Sequence, residues 1–177
     1  IEGFSRNRGK PVPDWLIEED ASVFGPMTGF QMSFRTGVIR TFGFDENLGR
    51  YSLFEDRDAS LNVLKDHLIV CTKKGKVYHF RVPGQRTNEF EWGMINVLNR
   101  AYVVCKHSAP GSEARRKLSM YCLFRFAVYL LRARSQHGRQ RIRGAWRAFG
   151  CIPRLLNAPK SQLAHQFVLL RDECLKG

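Results

Sequence analysis

The stretch FQMSFRTGVIRTFGFDENLGRYSLFE, Phe30 to Glu55, decides the fold class. Phe30, Met32 and Phe34 alternate with Gln31, Ser33 and Arg35, the period of two that a half-buried strand requires. Thr36-Gly37 supplies a turn, and Val38-Ile39-Arg40-Thr41-Phe42 reads as the returning strand. Phe44 to Gly49 makes a second turn of polar residues and glycine, and Arg50 to Glu55 reads as a third strand. Further on, Leu68 to Cys71 and Lys76 to Val82 flank Thr72-Lys73-Lys74-Gly75, two β-rich runs about a short glycine-containing turn. Residues 59–66 fit either a strand or a short helix. Residues 29–82 are therefore expected to form an antiparallel β-sheet of four to six strands.

Ahead of this region, residues 1–28 read as an extended arm. Arg6, Arg8 and Lys10 precede Pro11-Val12-Pro13, where two prolines so close forbid helix, and Gly25-Pro26 breaks the chain again.

Behind it the period changes. Between Asn88 and His107 the apolar Phe90, Met94, Val97, Leu98, Ala101, Tyr102 and Cys105 fall three and four apart, with Asn88 as N-cap and Glu89 and Glu91 in the first turn. Ser112 caps a second helix whose core, Leu118 to Leu131, is nearly all apolar and is expected to be buried on most sides. Within it, Arg125 calls for a partner such as Asp66, Glu89 or Glu91. Gln136-His137-Gly138 reads as a break before a short helix, Arg139 to Phe149, stopped by Gly150 with Pro153 beyond. A last helix, Lys160 to Leu175, presents Leu163, Phe167, Leu170 and Cys174 inward. The expected fold is α+β: the arm at 1–28, then a single domain over 29–177 in which the sheet is followed by a layer of about four helices over 88–175.

Charge is the strongest functional signal. The chain carries a net +13, and Glu113 to Arg154 holds ten arginines and one lysine against one acid, a local +10. No acid occurs between Ala114 and Pro159. A solvated helix face normally mixes signs, so a run of like charges marks an interaction element. Arginine grips phosphate or carboxylate through a planar fork. The expected phosphate contacts are Arg115, Arg116, Lys117, Arg132, Arg134, Arg139, Arg141, Arg143 and Arg147, with Lys73, Lys74 and Lys76 on the hairpin as a second patch. Arg139, Arg143 and Arg147, four apart, form a stripe. Trp146 shares a face with Ile142 and Phe149 and reads as the anchor that docks this helix.

Two basic patches on different elements suit RNA better than one planar surface, and phosphate neutralisation makes such binding steeply salt-sensitive. The expected function is a non-catalytic, RNA-binding structural component of a ribonucleoprotein assembly, with RNA and other subunits as partners. The alternatives are a peripheral or matrix-type protein on an acidic membrane surface, through a basic helix with Trp and Phe on its apolar face, and a subunit docking on an acidic protein. Small size, basicity, an extended arm and a chain starting at Ile1 are together similar in composition to ribosomal and organellar ribonucleoprotein components, and to viral matrix or RNA-binding proteins. That start is also what removal of a transit peptide, cleavage from a polyprotein or a trimmed boundary would leave.

Other chemistries find little support. No GxSxG, HExxH, GxxxxGK[ST] or GxGxxG string occurs, so no enzyme is expected. Glu55, Asp56 and Asp58 read as an ordinary acidic turn, and His67 and His79, across the hairpin, have no nucleophile beside them. Cys105 and His107 with Cys122, or His165 with Cys174, lack the short paired spacing of zinc sites, so neither metal nor cofactor is expected. Five widely spaced cysteines without a CxxC pair point to free thiols in a reducing, intracellular compartment, mitochondrial or viral-cytoplasmic. No apolar run approaches the roughly 18 residues of a spanning helix.

Overall fold

A computed structural model of the chain describes residues 14, 21–23, 27, 29, 31–72, 78 and 88–176. In chain order these form β1 (Ala21–Val23), α1 (Thr36–Phe42), a 3-10 turn (Glu46–Leu48), α2 (Glu55–Val63), β2 (Val70–Thr72), α3 (Glu89–His107), α4 (Glu113–Leu131), α5 (Gln136–Leu156) and α6 (Leu163–Lys176). The expected sheet of four to six strands is absent from the described residues, which are mostly helical. A single antiparallel pair stands in its place, with Ala21 opposite Thr72, Ser22 opposite Cys71 and Val23 opposite Val70. Most of the expected arm, the return arm of the expected hairpin apart from Tyr78, and Lys73, Lys74 and Lys76 lie outside the described residues.

Two compact units divide the chain. The first comprises Ile1–Glu46 and Glu55–Pro83. Here Thr36-Gly37 starts a helix where a turn was expected: the Val38 and Ile39 amides both reach the Arg35 carbonyl, at 2.9 and 3.2 Å. Val38, Ile39 and Phe42 suit an i, i+4 face as well as an alternating one, and so short a run does not distinguish the two periods. The aromatic rings meet locally, Phe34 against Phe44 at 6.0 Å and Phe42 against His67 at 5.9 Å, both edge-on. The acidic cluster Glu55, Asp56 and Asp58 occupies the first turn of α2, where the helix dipole favours negative charge. Asp56 Oδ2 accepts from the Gly29 amide at 3.1 Å and Ser60 Oγ from the Met27 amide at 2.8 Å, which ties these two residues to α2.

The second unit comprises Asn47–Phe54 and Gly84–Gly177. Asn88 Oδ1 accepts from the Glu91 amide at 2.7 Å and opens α3, the most deeply buried helix of the unit. α3 and α5 run parallel in very close contact. A Cβ on Gly93 would sit 2.0 Å from the Arg141 carbonyl oxygen, and one on Gly144 1.9 Å from that of Phe90. Only glycine permits that approach. α4 connects the two in the opposite direction. It is joined to α3 by Tyr121, whose hydroxyl donates to Asn96 Oδ1 at 2.8 Å and whose ring lies 3.6 Å from the Arg100 guanidinium carbon. α6 closes the unit with Phe167 stacked on Tyr102 at 4.2 Å.

Three further expectations are corrected in this unit. Arg50 to Phe54 is an irregular loop in which Arg50, Ser52 and Phe54 all have positive φ. Such conformers cost on the order of 1–3 kcal/mol each and need outside support. It comes from an ion pair between Arg50 and Glu91, from Asn99 Nδ2 donating to the Leu53 carbonyl at 3.0 Å, and from Tyr51 packed edge-on against Trp92 at 5.1 Å. Second, α5 runs from Gln136 through Gly150 to Leu156, past both glycines read as punctuation. Ser135 caps it by accepting from the Gly138 amide at 3.0 Å, and Gly138 is small because the Arg132 carbonyl packs against it. Third, α4 is covered on one side only. Of its apolar residues Leu118, Cys122 and Tyr129 alone are buried. Arg125 finds its partner on its own helix, donating to the Tyr129 hydroxyl at 2.8 Å, while Glu89 and Glu91 are taken by Arg141 and Arg50.

Candidate nucleic-acid interface

The cations of Glu113–Arg154 fall into two groups once α4 and α5 are folded. One group is spent on the structure. Arg115 is half-buried and donates to the carbonyl of Leu156 at 2.8 Å and of Cys105 at 3.5 Å, at the C-terminal ends of α5 and α3. Arg141 is half-buried in an ion pair with Glu89 and lies 6.0 Å from the Trp92 ring. Arg147 donates to the Cys174 carbonyl at 3.2 Å and lies 5.8 Å from the Phe90 ring. Lys117 pairs with Glu113, one turn back, at 2.9 Å, and Arg154 pairs with Glu173 at 2.8 Å. The expected stripe therefore loses Arg147, which faces inward.

The second group is exposed: Arg116 near the start of α4, and Arg132, Arg134, Arg139 and Arg143 around the turn from α4 to α5. None of these five has a carboxylate partner among the described residues. The turn itself is tight. Arg139 folds back on it, donating to the carbonyls of Ala133 at 3.4 Å and Arg134 at 3.1 Å. That bond holds the Arg139 side chain against the backbone between Arg132 and Arg134, so three of the four cations crowd one corner. Arg143 follows one helical turn on.

Trp146 lies beside them, whereas the sequence favours it as the anchor that docks the helix over a platform for base stacking. The indole is 66 % exposed, so it does not anchor the helix; its ring leans on Phe126 of α4 at 5.5 Å. Arg139, Arg143 and Trp146 stand at i, i+4 and i+7 and form an outward ridge on α5. The available signal was the spacing of Trp146 from Arg143, as regular as its spacing from Ile142, which is half-buried.

Electrostatically the corner is close to unopposed. Glu89, in the first turn of α3, is already paired with Arg141. Its hydrogen bond from Arg141 holds the carboxyl below its ordinary pKa, with His137 contributing less at 3.4 Å. A shallow cavity of about 360 Å³ between the starts of α3 and α5 is lined by Asn88, Glu89, Phe90, Gln136, His137 and Gln140. Its one full charge is already paired. Among the described residues no three His, Cys, Asp or Glu side chains converge as a metal site would require. What the arrangement offers chemically is a row of guanidinium forks ending in an exposed flat ring. No family model, curated protein or solved structure matches this chain.

Proposed function

We propose that this chain is a non-catalytic RNA-binding protein that holds single-stranded RNA along the outward ridge of α5, as a structural component of a ribonucleoprotein assembly. The observation that supports this reading is the ridge itself: Arg139 and Arg143 exposed without acids, ending in the exposed indole of Trp146. Guanidinium groups neutralise phosphates, and unpaired bases stack on exposed aromatic rings. Arg132 and Arg134 at the adjoining corner extend the phosphate track. Arg115, Arg141 and Arg147 take no part, because they are half-buried with their donors serving the fold, whereas Arg139, which also donates to the carbonyls of Ala133 and Arg134, is exposed. In a duplex the bases are stacked on one another and the indole has no open base face to meet, so single strands bind more tightly than duplex of equal charge.

The test is the salt dependence of binding to a labelled single-stranded oligoribonucleotide, read by fluorescence anisotropy. Each lost phosphate contact on a single strand flattens the slope of log K against log salt by about 0.7. Replacing Arg139 and Arg143 together by alanine is expected to flatten it by about 1.4. An unchanged slope overturns the assignment.

A further inference from the structure

A second surface lies on α4 and calls for a different partner. This helix is apolar around nearly its whole circumference, yet the fold uses only the side bearing Leu118, Cys122 and Tyr129. On the other side Met120, Leu123, Phe124, Leu130 and Leu131 are 70, 68, 63, 58 and 82 % exposed. At 100° per residue these five positions, with Arg116, fall within an arc of roughly 120°. They make one continuous stripe along the 19-residue helix. Isolated exposed apolar residues need no explanation, but a contiguous stripe of this length marks a contact surface. RNA does not satisfy it, since phosphates and base edges leave aliphatic side chains in water.

The ends of the stripe say what covers it. Arg116 stands at its N-terminal end, and Arg132 and Arg134 follow its C-terminal end, all three exposed. The helix has one acid, Glu113, already paired with Lys117 at 2.9 Å. A second copy of the chain is a poor occupant. Packed antiparallel, the two stripes bring Arg116 of each against Arg132 and Arg134 of the other; packed parallel, they bring like ends together. Both arrangements set cation against cation with no carboxylate between. The occupant must be apolar along the middle and anionic at both ends. An acidic phospholipid surface has that chemistry, with acyl chains below and phosphates at the level of the flanking arginines. Among the described residues no helix is long and apolar enough to cross a membrane, so contact of this kind is in the plane of the interface.

We propose that α4 lies on the surface of an anionic phospholipid membrane, its Met120–Leu131 stripe entering the headgroup boundary and Arg116, Arg132 and Arg134 meeting lipid phosphate. This goes beyond the RNA reading: it rests on the apolar stripe and Arg116, which that reading does not use, and shares with it Arg132 and Arg134.

Co-flotation with vesicles tests it. The intact chain is expected to float with phosphatidylserine–phosphatidylcholine vesicles and to stay behind with pure phosphatidylcholine. Leu123→Gln with Leu131→Gln is expected to reduce flotation at least tenfold, while the thermal melt and the affinity for single-stranded RNA stay within twofold. Both residues are exposed, so neither change disturbs the core. Arg116→Glu, as an independent variant, is expected to weaken flotation on acidic vesicles several-fold. The proposal is overturned if the double variant floats as well as the intact chain, or if neutral vesicles bind equally. It is overturned also if the intact chain binds no vesicle but forms a dimer, or captures an acidic protein, that the same double variant abolishes. RNA affinity measured on the same samples separates failure of this proposal from failure of the RNA reading.

Discussion

Arg115 of α4 donates to the carbonyl of Leu156, the last residue of α5, at 2.8 Å, while its other terminal nitrogen reaches the Cys105 carbonyl in the last turn of α3 at 3.5 Å. One guanidinium thus serves two parallel helices at the ends where carbonyls lack intrahelical donors and the dipoles are negative. Arg115→Ala is expected to destabilise the fold by about 1.5–3 kcal/mol, the range for hydrogen bonds from charged donors. Arg115→Lys recovers only part, because a single ammonium does not reproduce the fork. Urea denaturation checks both variants, and the salt slope of RNA binding is expected not to move.

The contact between α3 and α5 makes an equally sharp prediction about glycines. With backbone oxygens 2.0 and 1.9 Å from the Cβ positions of Gly93 and Gly144, alanine at either site forces the helices apart. The expected loss is at or above the top of the ~1–3 kcal/mol range for overpacking. Gly150 lies in the same helix with nothing within 4 Å of its Cβ position. There alanine is expected to stabilise by up to about 1 kcal/mol through helix propensity. Opposite signs at Gly144 and Gly150 in thermal melts test the packing.

These glycines also show where sequence reading succeeds and where it stops. α3 was legible because Met94, Val97, Leu98, Ala101, Tyr102 and Cys105 recur at helical spacing, all of them buried, and Asn88 caps the helix by local geometry. Gly138 and Gly150 were read as punctuation because glycine commonly ends helices; that Gly138 answers to the Arg132 carbonyl depends on tertiary contact. In α4 a helix apolar on all sides reads alike whether it is enclosed or half bare, so sequence does not separate Leu123 and Leu131 from core residues. The strands went wrong for a related reason. Met32-Ser33-Phe34 and Val38-Ile39 are too short for the alternation to outweigh a helical reading. Of the candidate site, Arg139 and Arg143 were legible as cations, whereas the diversion of Arg115, Arg141 and Arg147 to carbonyls and Glu89 was not.

The pairing of Glu89 with Arg141 gives a pH dependence. The hydrogen bond lowers the Glu89 pKa in the folded state. Its stabilisation is therefore fully present above the ordinary carboxyl value of about 4.3 and is lost as pH falls through the lower folded value. Glu89→Gln is expected to be less stable than the parent at pH 7, with the gap closing as the solution is acidified below about 4. A gap that persists undiminished in acid would mean that the ion pair is not its source.

Thiol reactivity offers a further check. Cys71 is exposed, and the other four cysteines are buried. Burial pushes Cys122 up to about 11, and burial with a hydrogen bond to Cys151, Sγ to Sγ at 3.1 Å, pushes Cys174 up to about 12. The thiolate is the reactive form. At pH 7.5 a maleimide is expected to label one site rapidly, mapped to Cys71 by mass spectrometry, with all five labelled in denaturant. Rapid labelling of Cys122 or Cys174 in the native protein would contradict the placement of those helices.

The central claim, that the α5 ridge holds RNA through two cations and a ring, is tested most directly at Trp146. The measurement is the affinity of Trp146→Ala for a single-stranded oligoribonucleotide across a series of salt concentrations. Stacking one base on an aromatic ring is worth about 1–3 kcal/mol, so affinity is expected to fall by roughly 5- to 150-fold at every salt concentration. The indole carries no charge, so the salt slope is expected to stay that of the parent while Arg139→Ala with Arg143→Ala flattens it. Affinity unchanged in Trp146→Ala, with the slope also unchanged in the arginine pair, would contradict the account.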